Sequence, residues 1–87
     1  MEIAFDEIAL RDIQFWKKSG NTVIQKKIQN LLKAIEQDPF SGIGKPEALK
    51  YSLIGKWSRR INSEHRIIYS IQENIIQIHS LKGHYNN

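Results

Sequence analysis

Cysteine is absent from this chain of 87 residues. A disulfide framework and a thiolate metal site are thereby excluded, and the absence suits a reducing compartment. Prolines number two and glycines five, too few for a fibrous or low-complexity chain. No apolar run approaches the ~18–20 residues needed to cross a bilayer. The opening MEIAFDEIAL also lacks the basic segment of a signal peptide. The expectation is a cytoplasmic protein that does not engage membrane. Acidic residues are the scarcer charge, 9 against 13 Lys and Arg, for a net +4. That balance favours a polyanionic partner.

What remains is an ordinary globular composition, 40% hydrophobic and 25% charged, and a length that fits one domain over residues 1–87. A domain this small buries only about 60–65% of its unfolded surface, so a second copy or a tight partner would help it. EIAFD (2–6) alternates as a short strand does, and Asp6 is placed to cap the next helix with its carboxylate. Ala9, Leu10, Ile13 and Trp16 recur at helical spacing, with Gly20 as the stop. Ile24, Ile28, Leu31, Leu32 and Ile35 form the apolar stripe of a second helix over Thr22–Gln37, ended by Asp38-Pro39.

Residues 39–50 read as an ordered loop. Strands are expected at Tyr51–Leu53, Trp57–Asn62, 66–71 and 75–81, the last two joined at Glu73-Asn74. The fold class is α+β: an N-terminal strand, then a two-helix hairpin packed on one face of a mainly antiparallel twisted sheet. If Ile61 faces the helices, alternation turns Arg60 away from them. A tight turn at residues 63–65 would bring Arg60 beside Arg66 on the uncovered face.

Those arginines belong to a chemically loaded stretch. In GKPEALKYSLIGKWSRRINSEHRIIYS (44–70), the loop carboxylate Glu47 stands among Lys45, Lys50, Lys56, Arg59, Arg60 and Arg66; KGHYNN closes the chain with His84 and Tyr85. A carboxylate, an imidazole and guanidinium groups suffice to cleave RNA. A base takes the 2′-hydroxyl proton, an acid protonates the leaving 5′ oxygen, and planar guanidinium forks stabilise the phosphorane. A loop glutamate is also commonly a solvated charge, and paired arginines commonly protect a sheet edge. His65 reads as a turn residue, His79 as a structural strand residue, and Trp16 and Trp57 as core. No zinc spacing, phosphate-cradling glycine loop or nucleophile elbow is present. Taken alone, the residues describe a small basic α+β domain, with RNA cleavage and passive RNA binding both open.

The run DPFSGIGKPEALKYSLIGKWSRRINSEHRIIYSI with a terminal HY closely resembles the YoeB/Txe toxins of bacterial toxin–antitoxin pairs, within the RelE-like superfamily. The resemblance covers nearly the whole chain. It implies a ribosome-dependent, metal-independent mRNA endonuclease that needs no cofactor and cuts translated message in the A site of the 70S ribosome. It further implies a cognate antitoxin (YefM/Axe-like, Phd-type) whose disordered segment folds onto the toxin, and a homodimer. Residue by residue, it places Glu47 as general base, Arg66 at the scissile phosphate, His84 as general acid and Tyr85 as a positioning residue. Lys50, Arg59 and Arg60 become substrate contacts. Gly83, ahead of His84, departs from the family pattern and is expected to loosen that histidine. The competing readings are a gyrase-directed relative of the same fold and a ribosome binder without catalysis, neither of which needs the Glu–Arg–His set.

Overall fold

The computed structural model describes residues 1–83. The order is β1 (Glu2–Phe5), α1 (Glu7–Ser19), α2 (Thr22–Gln37), β2 (Glu47–Ala48), a 3₁₀ turn (Tyr51–Leu53), β3 (Lys56–Arg60), β4 (Arg66–Gln72) and β5 (Ile75–Ser80). The strands form one five-stranded sheet in the order β1-β5-β4-β3-β2. β1 runs parallel to β5, and every other pairing is antiparallel. The expected α+β architecture with a mainly antiparallel sheet is therefore present.

Both helices owe their ends to local chemistry. Gly20 closes α1 at φ 72°, a left-handed conformation that glycine adopts without steric cost. Asn21 caps α2, its side chain accepting the Ile24 N–H at 3.1 Å. Asp6 occupies the cap position of α1 but makes no side-chain cap bond. Its carboxylate instead accepts from the Gln77 amide and sits 2.7 Å from His79 Nδ1, whose Nε2 lies 2.8 Å from Ser70 Oγ. The His79 bond, foremost, holds the Asp6 carboxyl below the ordinary carboxylate range. A strand partner thus outcompetes the expected cap.

The core lies between the helices and one sheet face. Ala9 and Trp16 of α1, with Ile24, Ile28, Leu31 and Ile35 of α2, cluster with Ile67, Tyr69, Ile76 and Ile78. Leu32 is only partly buried against this cluster, and Leu10, expected in the stripe, is 53% exposed. At Glu73-Asn74 both residues have positive φ, 50° and 65°, as a two-residue type I′ hairpin requires. A bulge follows: Ile68 pairs with Ser80 but Tyr69 with Ile78, so His79 is the extra residue. Tyr51–Leu53 is a 3₁₀ turn rather than a strand, and the loop expected over 39–50 contains the edge strand β2.

Candidate active site

Glu47 reaches the sheet through a loop held from beneath. Pro39 stops α2, and the Asp38 carboxylate takes the Phe40 N–H at 2.9 Å and the Ser41 hydroxyl at 2.6 Å. These bonds, Ser41 first, lower the Asp38 pKa. Arg59 then pins the loop. It is completely buried, and its guanidinium donates to the carbonyls of Asp38, Ser41 and Ile43 and to the Tyr69 hydroxyl. The Tyr69 hydroxyl in turn donates a hydrogen bond to the Pro39 carbonyl at 2.6 Å, and burial raises its pKa. At Gly44 a Cβ would come within 2.7 Å of Leu31 Cδ2, and its carbonyl accepts the Arg60 N–H at 2.6 Å. Only glycine fits so close an approach at φ 84°.

Beyond Gly44 the register decides what meets what. Glu47 lies opposite Ser58, Ser58 opposite Ile68, and Arg60 opposite Arg66. Residues paired across strands, and those two apart along one strand, share a face. Glu47, Ser58, Arg60 and Arg66 therefore share the face turned from the helices, where alternation had put Arg60. Arg66 Nη1 reaches Ser58 Oγ at 3.5 Å, and Ser58 is 1% exposed. This serine, absent from the expected site, is paired across the strands with Glu47 and meets the Arg66 guanidinium. WSRR offered a signal for it, because the alternation that turns Arg60 outward does the same for Ser58. Ile68 and Leu49, both buried, lie outside the main core cluster. The second face thus has an apolar floor with a cationic margin.

Like charges directly opposite on paired strands cost about 0.2–1 kcal/mol. Arg60 and Arg66 bear that cost, and among the described residues neither has a carboxylate ion partner. An incoming phosphate would relieve it. Arg59, expected beside Arg60 as a substrate contact, is a correction: one residue earlier in the strand, it faces the helices, and its donors are occupied by the loop carbonyls. Lys50 is exposed and leads into the 3₁₀ turn, where its carbonyl accepts the Leu53 N–H at 3.1 Å. His84 and Tyr85 lie outside the described residues. Among the described residues, no three His, Asp or Glu side chains gather as a metal site would require, and no helix is long and apolar enough to cross a membrane.

A helical hairpin on one face of a small mixed sheet, with Glu47, Arg60 and Arg66 on the opposite face, defines the class as a small α+β domain. The chain belongs to the family of YoeB-like toxins of bacterial type II toxin–antitoxin systems, which it matches over residues 5–85. It is 49% identical to the toxin YoeB of Synechocystis sp., with 98% of each chain covered. Among solved structures it resembles the YoeB dimer of Staphylococcus aureus at a TM-score of 0.88 and 43% identity, covering 98% of each chain. It resembles YoeB in the YoeB–YefM complex of the same organism at 0.87 and 44%, with the same coverage.

Proposed function

We propose that this protein is a ribosome-dependent mRNA endonuclease that halts translation by cutting message in the A site. The observation that carries this reading is the register joining Glu47, Ser58 and Arg66 on one face. Glu47 takes the 2′-hydroxyl proton and the oxygen attacks the adjacent phosphorus. The P–O5′ bond breaks, and the leaving oxygen takes a proton from His84. The products are a 2′,3′-cyclic phosphate and a 5′-hydroxyl, with no metal required. Arg66 holds the phosphoryl oxygens, Lys50 and Arg60 contact the flanking backbone, and Tyr85 positions the nucleotide.

Purified protein added to ribosomes translating a defined message should give one cut per occupied A site, with a cyclic phosphate at the new 3′ end. Ribosome binding without strand scission, or breaks in DNA carrying gyrase, would overturn this reading.

The cytoplasm, where message is translated, is the compartment this activity needs. The protein pairs with itself and with an antitoxin, as its Staphylococcus aureus relatives do in the dimer and the YoeB–YefM complex. The antitoxin segment is acidic and disordered until it binds, drawn by the Arg60–Arg66 margin. Association with such a segment should slow steeply between low and physiological salt, because exposed charges are screened over a Debye length of about 8 Å at 0.15 M. Stopped-flow rates that do not vary with ionic strength would argue against this docking face.

A further inference from the structure

The last described residues are held at four points. Leu81 N–H donates to Asp12 Oδ2 at 2.8 Å, and its carbonyl accepts the Trp16 indole N–H at 2.9 Å. Gly83 N–H donates to His65 Nδ1 at 2.8 Å, and the Gly83 carbonyl accepts the Arg66 N–H at 2.9 Å. Two consecutive residues, His65 and Arg66, thus grip both polar groups of Gly83. The glycine expected to loosen the terminus is instead held through both of its backbone polar groups. Its φ of 76° suits glycine, and the space around its missing Cβ is empty.

His65 is itself immobilised. Its N–H donates to Asn62 Oδ1 at 2.8 Å, and its carbonyl accepts from the N–H groups of Ile61 and Asn62. Its ring stands edge-on to Trp16, with centroids 4.8 Å apart and planes at 84°. A backbone N–H can only donate, so Nδ1 is an acceptor and the ring proton sits on Nε2. Nε2 lies 3.9 Å from Glu64 Oε2.

We infer that His65 is a positioning residue that anchors Gly83, the residue immediately ahead of His84 in the chain. His84 follows Gly83 directly in the sequence. The backbone of Arg66, whose side chain meets the phosphate, is tied to that same glycine. One joint therefore anchors both the strand that carries Arg66 and the residue that precedes His84 in the chain. A misplacement near 1 Å can cost on the order of 100-fold in rate, which is why such a joint matters. The inference rests on the proposed role of His84.

The test uses the full chain on translating ribosomes. His65→Phe keeps an aromatic ring against Trp16 but removes the acceptor. It should slow single-turnover cleavage on the order of 10–100-fold while ribosome affinity stays unchanged. His65→Asn, whose side-chain oxygen takes the place of Nδ1, should restore most of the rate. In a His84→Gln background, His65→Phe should add little, because both act through one group. In the unmutated protein the Gly83 amide should be protected from hydrogen exchange at neutral pH, a readout independent of whether any variant folds. Equal losses in the Phe and Asn variants, a full additional loss in the His84→Gln background, or an unprotected Gly83 amide would each overturn the inference. Full cleavage by His84→Gln alone would overturn the acid assignment, and the amide protection would still report on the tether.

Discussion

Replacing Arg59 by Met should lower stability by about 3 kcal/mol or more, the cost of leaving several buried acceptors unpaired. The carbonyls of Asp38, Ser41 and Ile43 and the hydroxyl of Tyr69 all lose their donor at once. For a domain of this size, each kcal/mol corresponds to roughly 4–8 °C in Tm, so a fall of roughly 12–24 °C is expected in thermal unfolding. Arg59→Lys should recover only part of it, because one ammonium cannot span acceptors arranged around a planar fork. Arg60→Ala, one residue away and exposed, should stay within about 0.5 kcal/mol of the parent. A Tm in Arg59→Met close to that of Arg60→Ala would show that the buried guanidinium does not hold the loop.

That contrast between neighbours was partly legible in the sequence. Alternation along WSRRIN placed Arg59 with Trp57 and Ile61, and the structure buries Arg59 and Ile61 and packs the partly buried Trp57 against the core. The family resemblance nonetheless set Arg59 among the substrate contacts. A charged side chain in the core is not visible to periodicity, because its acceptors are backbone carbonyls 16 to 21 residues earlier. The same limit explains Asp6. Its position before α1 satisfies the local rule for a cap, but its partners, Gln77 and His79, are more than 70 residues distant. The helices and the β4–β5 hairpin were legible because their signals are local: an apolar stripe, a stop glycine, a Glu-Asn turn. The edge strand β2 was not, because its two residues, Glu47 and Ala48, are both exposed and carry no alternation. Glu47 stood out as the acid among bases, but Ser58 beneath it and His65 beside the C-terminus become visible only once strand register and the Gly83 bonds are known.

Glu47→Gln should lower cleavage of translated message by about 10²–10⁴-fold, the usual loss when a positioned proton acceptor is removed. At 1.36 kcal/mol per tenfold, that is about 3–5 kcal/mol of barrier. Folding should be untouched, since Glu47 is exposed and has no ion partner among the described residues. Affinity for the ribosome–message complex should hold or tighten, because the change removes a negative charge from a margin that receives phosphate. Arg66→Ala should lose rate as well, about 10²–10³-fold if it stabilises the phosphorane as an oxyanion donor does, and Arg66→Lys should restore charge without the bidentate fork. Measuring rate and affinity separately makes the two roles distinguishable. A Gln variant that cuts at the parent rate removes Glu47 from the chemistry. One whose whole deficit is weaker binding makes Glu47 a contact residue, and the proton acceptor would then have to be sought elsewhere on the same face.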